Sequence, residues 1–253
     1  MSDPTAHVTA ATEQQISGNP PGAEATTIPP IIRRQYLMGL RRGDAILITG
    51  CIAGFATLLV LVRNGRMKTV DQALMSALQV LRWRPFARTM WLLSWPGFSP
   101  QSRIIPPVVA LALWLSGRRR EGVFALSAWG TSFLSRTFKV LVHRPRPFFE
   151  GITIVPAKLD GSSFPSGHVL AYVGVYGFLA GLARSGRLPQ PLCSVGKHLT
   201  TLLIVGVGPS RVYEGHHWPS DVAASYLLGF GYLRLLWRLF ERLEDRSSLR
   251  PKK

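Results

Sequence analysis

Residues 45–62, AILITGCIAGFATLLVLV, form an uninterrupted run of eighteen residues without a charged side chain. An α-helix rises 1.5 Å per residue, so a run of this length can cross a bilayer. We therefore expect residues 45–62 to form a first membrane-spanning helix. Its start is expected on the cytoplasmic side, because basic residues near a membrane helix favour that side. The basic residues before it are Arg33, Arg34, Arg41 and Arg42.

Further apolar segments follow along the chain, and several of them end in Lys, Arg or His. Some are too short to span a membrane on their own, but extension through their polar ends gives about twenty positions. Such ends are tolerated when they face a protein-lined cavity. The expected fold class is therefore all-α, a polytopic membrane helical bundle with about six transmembrane helices. The further segments are residues 104–116, 122–142, 169–183, 199–209 and 222–237.

Between the first and second predicted helices, residues 45–62 and 104–116, apolar residues recur at spacings of three and four. This spacing predicts an amphipathic helix that lies at the membrane interface, and two tryptophans follow it. A re-entrant hairpin is the alternative for the same pattern. The apolar residues are Val70, Ala73, Leu74, Ala77, Leu78 and Leu81, and the tryptophans are Trp91 and Trp95.

The composition also favours a membrane protein. The 253 residues are 47% hydrophobic, and 30 Lys and Arg against 13 Asp and Glu give a formal net charge of +17. Such a charge indicates anionic partners, and a bilayer with anionic lipids fits best. We expect no nucleic-acid partner, because the basic residues lie between apolar runs rather than in a soluble basic module. The two cysteines have no C-x-x-C spacing, which suggests neither a disulfide framework nor a thiolate metal site.

Three regions are expected in the chain. Residues 1–43 are predicted to be a disordered polar tail rather than a cleaved signal peptide, because residues 1–32 contain no apolar core. Residues 44–240 form the membrane domain, and residues 241–253 a basic C-terminal tail. With six crossings of a cytoplasmic (inner) membrane, both termini are cytoplasmic. Loops 143–166 and 210–221 then emerge together on the extracytoplasmic face, although several basic residues near 63–103 would lie outside as well.

Those two loops and the helix ends beside them hold cations that need an explanation. Lys139, Arg146 and Arg211 each stand where a predicted helix meets a loop. Cations near a membrane are costly unless an anion compensates them, and a bound phosphate would do so. Arginine offers a planar fork for two phosphate oxygens and lysine a point charge for a third. Ordinary membrane-flanking charge is the alternative for any one of them.

The segment Phe164-Pro-Ser-Gly-His168 precedes an apolar run and is typical of a helix start. Ser166 is a candidate N-cap, and Gly167 lets the backbone approach a ligand. Free N–H groups at such a start bind anions, and His168 would stand beside the bound anion. A turn and cap without a ligand is the simpler alternative.

His217 and Asp221 are four residues apart, so on a helix their side chains share a face. The carboxylate can then hold one imidazole N–H while the other ring nitrogen attacks, which makes His217 a candidate nucleophile. His216 is the rival, but the residue four positions after it is Ser220. A metal site built from these histidines and Asp221 is possible, yet a metal fits poorly among three cations. We expect neither a metal nor another cofactor.

These segments resemble the three-part signature of the type 2 phosphatidic acid phosphatase (PAP2) superfamily, K-x6-RP, PSGH and SR-x5-H-x3-D. All eleven specified positions are present in order, from Lys139 to Asp221. The resemblance covers roughly residues 45–238, so residues 44–240 are expected to be a PAP2-like transmembrane phosphatase domain.

The resemblance implies a role for each site residue. Phosphoryl oxygens would be bound by Lys139, Arg146, Ser166, Gly167 through its backbone N–H, and Arg211. His217 would attack phosphorus to form a phosphohistidine, Asp221 would orient it, and His168 would protonate the leaving oxygen. Attack in line places charge on three equatorial oxygens, which preorganised donors stabilise.

The expected substrate is a lipid-linked phosphate or diphosphate, of the phosphatidate, phosphatidylglycerol phosphate or polyprenyl diphosphate class. A lipid phosphotransferase would use the same phosphohistidine, and a non-catalytic protein could bind anionic lipid through the same cations. Vanadium haloperoxidases share the site pattern, but the membrane helices argue against that function. The sequence indicates no oligomeric state.

Overall fold

The computed structural model describes residues 41–157, 159 and 161–248. The tail expected at residues 1–43 therefore lies outside the described residues except for 41–43, and so do the last five residues. The described residues form nine α-helices and no strand, which confirms the all-α prediction. The helices are α1 (Arg42–Arg63), α2 (Lys68–Gln79), α3 (Arg84–Ser94), α4 (Gln101–Leu115), α5 (Arg119–Ala128), α6 (Thr131–Val142), α7 (Gly167–Arg184), α8 (Gln190–Tyr213) and α9 (Pro219–Ser248), with a 3₁₀ turn at Trp95–Gly97.

Two of these helices, α1 and α8, are both long enough and apolar enough to cross a bilayer, with mean hydropathies of 2.5 and 1.3. Helix α4 is apolar but shorter. Most side chains of α1 are not buried, and Ile46, Ile52 and Val60 are more than half exposed. An apolar helix with so much exposed surface is stable in lipid rather than in water. The count of six crossings stays a prediction.

Helix α7 lies at the centre of the bundle and packs against α5, α6, α8 and α9. Its small residues let the neighbouring helices approach closely. A Cβ at Gly177, for example, would come within 2.5 Å of Leu233 on α9. Away from the polar loops, aromatic rings of α5, α7 and α9 fill the core, where Phe124, Phe178 and Phe240 pack against one another. This packing fixes the ends of α7 and α9 relative to each other.

The single helix expected over residues 122–142 is interrupted, which corrects the prediction. Helix α5 ends at Ala128 and α6 begins at Thr131. The backbone carbonyls of Ser127 and Ala128 accept hydrogen bonds from the hydroxyls of Tyr232 and Thr131, at 2.7 and 3.1 Å. These side chains satisfy carbonyls that a continuous helix would have used, so the break costs little.

Helix α8 is longer than expected at both ends. It begins at Gln190 instead of residue 199, so Lys197 belongs to the helix. It also continues through Ser210 and Arg211 to Tyr213, which leaves a connection of only five residues before α9. Helix α9 runs on to Ser248, so the domain boundary expected at 240 does not coincide with the end of a helix. Apolar content alone had underestimated these helices, because polar side chains occupy their ends.

Helix α2 matches the predicted amphipathic helix, and α3 follows it as a second short helix. The orientation of α2 is unusual, because Val70 and Leu74 are exposed while Asp71 and Gln79 are buried. The Gln79 amide donates to the carbonyls of Thr153 and Tyr213, both at 2.8 Å. The apolar side of α2 therefore faces away from the bundle, as expected for a helix at a lipid interface.

Candidate active site

Four helix ends and the loop 143–166 meet at one end of the bundle. Lys139 lies in the last turn of α6, Gly167 begins α7, Arg211 lies in the last turn of α8, and Asp221 lies in the first turn of α9. Arg146 donates to the His216 carbonyl at 2.7 Å, the Arg211 carbonyl accepts from the His217 backbone N–H at 3.3 Å, and Lys139 lines a cavity together with His168. The three sequence segments singled out above are thus brought together.

A glycine turn places His217 over the end of α8. Gly215 has a φ of +77°, in the left-handed region that favours glycine, and a Cβ there would come within 2.6 Å of the Thr153 carbonyl oxygen. The backbone N–H groups of His216 and His217 both donate to the Arg211 carbonyl, at 3.1 and 3.3 Å. The chain therefore reverses tightly, and the backbone of His217 lies next to that of Arg211.

The hydrogen bonding of His217 selects one tautomer of its ring. Its Nδ1 lies 2.7 Å from the backbone carbonyl oxygen of Ser163. A carbonyl oxygen only accepts hydrogen bonds, so Nδ1 must carry the proton. In a neutral imidazole Nε2 then carries the lone pair, which is the form that a nucleophile requires. Ser163 was not identified from the sequence, because its contribution comes from the backbone.

Asp221 does not make the predicted contact, which was a hydrogen bond from the His217 ring N–H to its carboxylate. Its Oδ2 lies 3.7 Å from His217 Nδ1, beyond hydrogen-bond distance. The carboxylate instead accepts from the Trp218 backbone N–H at 3.0 Å and from Arg144 at 2.5 Å. The Ser163 carbonyl already occupies the imidazole N–H, and the Asp221 carboxylate lies beside the ring without a hydrogen bond to it.

Arg144 and Asp71 form a buried support that the sequence analysis did not find. Arg144 pairs with Asp71 at 2.6 Å and with Asp221 at 2.5 Å. Asp71 also accepts from the backbone N–H and the hydroxyl of Ser220, at 2.8 and 2.7 Å. The pairing joins α2, loop 143–166 and the start of α9. The available signals were the repeated Arg-Pro of residues 144–147 and an acidic residue, Asp71, in the first turn of α2.

Arg211 is fully buried and only partly satisfied. Its Nη1 donates to Glu214 at 2.6 Å and to the Ser94 hydroxyl at 3.3 Å. Its Nε and Nη2 are buried and make no hydrogen bond within the described part of the chain. Buried donors without partners are costly, so this arrangement suits a bound anion.

The start of α7 has a similar unused group. Ser166 occupies the N-cap position as expected, but its hydroxyl makes no capping hydrogen bond and is buried without a partner among the described residues. Its backbone N–H donates to the Ser225 hydroxyl at 2.7 Å. A Cβ at Gly167 would lie only 3.1 Å from the Ser135 hydroxyl oxygen. A helix N-terminus with a free hydroxyl and close backbone access is a suitable anion site.

His168 is held by a segment that sequence reasoning left unexplained, the Trp-Pro-Gly-Phe run at 95–98. A Cβ at Gly97 would overlap the His168 ring, and the Phe98 ring contacts it edge-on at a centroid distance of 5.3 Å. Phe98 also lies 5.2 Å from the Arg211 guanidinium carbon. The His168 Nε2 is buried and has no hydrogen-bond partner in the described residues. That nitrogen is therefore available to a bound ligand.

His216 differs from His217, because both of its ring nitrogens lie close to other groups of the protein. Its Nε2 lies 2.8 Å from the Val155 carbonyl oxygen, so that nitrogen carries the proton. Its Nδ1 lies 3.3 Å from a Glu214 carboxylate oxygen, and the side chain is fully buried. Of the two adjacent histidines, His217 is the better nucleophile candidate.

The surroundings of His217 favour its neutral form. Burial lowers the pKa of its imidazole well below the usual value for histidine, and the positive charges of Arg211, Arg146 and Lys139 lower it further. The hydrogen bond to Ser163 opposes this change. A neutral ring retains the lone pair that attack on phosphorus needs. The expectation of a metal-free site stays a prediction.

Comparisons with known proteins agree with this geometry. The model of the PAP2 superfamily matches residues 121–245, which include every site residue named from Lys139 to Asp221. The undecaprenyl-diphosphatase BcrC of Bacillus subtilis (strain 168) is 27% identical over 164 residues, 57% of this chain and 79% of that protein. Phosphatidylglycerophosphatase B of the same organism is 28% identical over 185 residues, covering 69% and 85%.

Another relative is closer in identity, and a solved structure shares the fold. The Escherichia coli (strain K12) protein YbjG is 31% identical over 170 residues, 61% of this chain and 81% of that protein. The crystal structure of a transmembrane PAP2-type phosphatidylglycerolphosphate phosphatase from Bacillus subtilis matches 81% of this chain and 98% of its own, with a TM-score of 0.65 and 21% identity. On these matches, and with the signature residues gathered at one site, the chain belongs to the PAP2 superfamily.

Proposed function

We propose that this protein is an integral membrane phosphatase that hydrolyses a lipid-linked phosphate or diphosphate through a phosphohistidine on His217. Its family and relatives make it a lipid phosphatase, and the names of the relatives point to undecaprenyl diphosphate and phosphatidylglycerophosphate. The observation that carries the mechanism is the hydrogen bond from His217 Nδ1 to Ser163, because it leaves Nε2 as the attacking atom.

In the first step, Nε2 of His217 forms a bond to phosphorus while the bond from phosphorus to the leaving oxygen breaks. Three negatively charged equatorial oxygens develop. Arg211, Lys139 and Arg146 stabilise this charge, together with the Ser166 hydroxyl and the Gly167 backbone N–H. This role is supported by the buried donors of Arg211 and Ser166 that make no hydrogen bond within the described residues. His168 gives a proton to the leaving oxygen.

In the second step, water attacks the phosphohistidine and the bond between nitrogen and phosphorus breaks. His168, which lost its proton in the first step, accepts one from the water. Inorganic phosphate leaves, and His217 returns to its neutral form. The charge of Asp221, 3.7 Å from Nδ1, stabilises the positive ring that exists between the two steps.

The membrane setting follows from the exposed apolar helices. We propose that α1, α4, the α5–α6 pair, α7, α8 and α9 make six crossings of the cytoplasmic membrane, with both termini in the cytoplasm. The site then lies at the extracytoplasmic surface, where the head group of a lipid phosphate can enter from the bilayer. The apolar side of α2 would rest on the same surface.

The proposal is tested by trapping the intermediate. Purified protein in detergent, given lipid phosphate with a radioactive terminal phosphoryl group, should release inorganic phosphate with EDTA present. Rapid quenching should recover label on protein as an acid-labile, base-stable phosphoramidate. His217→Gln should abolish both, with a loss of about 10³-fold or more in turnover, as expected for removal of a nucleophile.

His216→Gln is the matched control, since it alters the adjacent buried imidazole. It should still form the labelled intermediate, even if the variant is less stable. Equal turnover in the His217→Gln protein and its parent would rule out the mechanism. Label that passes to a lipid hydroxyl, with little free phosphate, would identify a phosphotransferase instead.

A further inference from the structure

A polar cavity of about 300 Å³ opens beside the candidate active site. It lies between the start of α4, one face of α6, the first turn of α7 and the 3₁₀ turn. Lys139, Gly167 and His168 line the side that belongs to the site. The cavity extends from there to two further cations, Arg103 and Arg136, which neither the signature nor the mechanism above uses.

The charge of this cavity is one-sided. No Asp or Glu is among the described residues that line it, and Arg103 and Arg136 form no ion pair with any described carboxylate. Arg144, by contrast, pairs with two carboxylates. Neighbouring cations repel each other unless an anion lies between them. The cavity is therefore suited to a ligand with more negative charge than the site at His217 alone would require.

The face of α6 that lines the cavity repeats this chemistry. Ser132, Arg136 and Lys139 follow at spacings of four and three, so they form one stripe along the helix. Arg136 stands about 4.5 Å along the helix axis from Lys139, at 1.5 Å per residue, on the side away from the loop end. Arg103 approaches from the first turn of α4. A phosphate held by Lys139 therefore has a second cationic position next to it.

The wall of the cavity also offers hydroxyl groups that are not used elsewhere. Four serines line it, and their side chains make no hydrogen bonds to other residues within the described ranges. Hydroxyls donate to phosphate oxygens and tolerate either protonation state. The serines are Ser99, Ser102, Ser132 and Ser135.

The position of His168 assigns the cavity to one side of the reaction. His168 is the proposed donor to the leaving oxygen, and it lines the cavity, whereas His217 is not among the described residues that do so. The cavity thus holds the group that leaves. If a lipid monophosphate is cleaved, that group is an uncharged alcohol, which gains nothing from two arginines. If a diphosphate is cleaved, the leaving group is a lipid monophosphate, which is an anion.

We propose that Arg103 and Arg136 form a second phosphate subsite, which binds the phosphate that remains on the lipid, so that the preferred substrate is a lipid diphosphate. This inference rests on the function proposed above. His217 bonds to the terminal phosphorus, the bond to the bridging oxygen breaks, and that oxygen leaves on the lipid monophosphate with a proton from His168. Water later releases the terminal group as inorganic phosphate.

The test compares two substrates that differ by one phosphate, farnesyl diphosphate and farnesyl monophosphate, in the same detergent micelles. We expect Arg136→Gln and Arg103→Gln each to lower kcat/KM for the diphosphate about tenfold, the usual scale of a lost charged hydrogen bond. Turnover of the monophosphate should change less than about twofold, since it lacks the group that the subsite binds. Arg136→Lys should recover part of the loss.

Arg120→Gln is the matched control, because Arg120 is exposed at the start of α5, away from the cavity. It should leave both rates and their ratio unchanged. Inhibition gives a second measurement, in which inorganic pyrophosphate should bind more weakly to Arg136→Gln while inorganic phosphate does not.

Two results would overturn the subsite. One is an equal fall in both activities in the arginine variants, and the other is an unchanged ratio between the substrates. Failure of the parent protein to cleave either compound would instead count against the proposed function, so the two failures are distinguishable.

Discussion

Two clusters of charge along α9 are balanced in different ways. Near its middle, Arg234 and Arg238 both pair with Asp44 of α1, and Arg238 also pairs with Glu241 at 2.6 Å. About 20 Å away, at 1.5 Å per residue from Arg234 to Asp221, the site gathers Lys139 and Arg211 around His217. There Lys139 has no ion pair with a described carboxylate, and two nitrogens of Arg211 lack acceptors in the described structure.

The difference separates cations that stabilise the fold through ion pairs from cations whose positions suit the binding of an anionic ligand. The Asp44 cluster joins α1 to α9 and leaves no cation unmatched. The site retains described cations without matching carboxylates, and such an imbalance costs stability, which is common where binding or catalysis requires strained electrostatics. Three predictions would break or sharpen this comparison, in order of decreasing effect.

The largest effect is expected from Lys139→Gln. Loss of this cation should lower phosphate release by about 10²–10³-fold, the scale for removal of one transition-state donor. The thermal midpoint should stay the same or rise, because a half-buried cation without an ion pair is removed. Phosphate release and unfolding in the same micelles measure both quantities.

Arg238→Gln is the counterpart at the other cluster. It should lower the thermal midpoint, because the ion pairs of Arg238 with Asp44 and Glu241 stabilise the fold. Activity per folded molecule should stay within about threefold, because these pairs take no part in the reaction. The reverse pattern in either variant would refute the separation of roles.

A second effect concerns the ion pairs behind the candidate nucleophile, His217. Asp71→Asn leaves Arg144 with one carboxylate in place of two, and we expect unfolding in a denaturant titration to become easier by about 3 kcal/mol, as for a broken buried pair. Asp44→Asn should cost less, because the Arg234 side chain is 35% exposed, against 12% for Arg144, and the more buried Arg238 keeps its pair with Glu241. Equal losses would mean that burial does not distinguish the two pairs.

The smallest effect is a displacement in pH dependence. The pKa of His217 is lowered, so its neutral fraction should persist below the usual histidine pKa of 6.5, and the acid limb of kcat/KM, which reports this fraction, should fall only at more acidic pH. Arg146→Gln removes one positive charge that lowers this pKa, so the acid limb should move to higher pH. The substrate ionises identically in both assays, and the difference between the profiles therefore reports the enzyme. Coincident limbs would show that Arg146 does not act on His217.

The sequence predicted the helical class and the segments that the structure brings together at the candidate site, because those features are encoded locally. The charge-free run at 45–62 needs no partner to be recognised, and Ser166-Gly167-His168 marks a helix start by itself. The spacing of His217 and Asp221 correctly placed both near α9, but it could not show that the Ser163 carbonyl would take the imidazole N–H.

What remained hidden depends on contacts between distant parts of the chain. Asp71 and Arg144 are 73 residues apart, and no spacing in the sequence relates one to the other. Phe98 packs on both His168 and Arg211 only because α7 and α8 bring them there. The break between α5 and α6 likewise requires the hydroxyl of Tyr232, about a hundred residues later. Tertiary pairing of this kind has no periodic signal in one sequence.

The orientation of α2 has a consequence for how the enzyme is handled. One side of this helix presents Val70 and Leu74 outward, and the other presents Asp71 to Arg144 and Ser220. A detergent that replaces native lipid around the outward side therefore changes the solvent of a helix that anchors the carboxylate next to the candidate nucleophile, His217. The rates of phosphate release in micelles and in reconstituted vesicles thus both depend on α2. A difference between the two rates should be traced first to this helix.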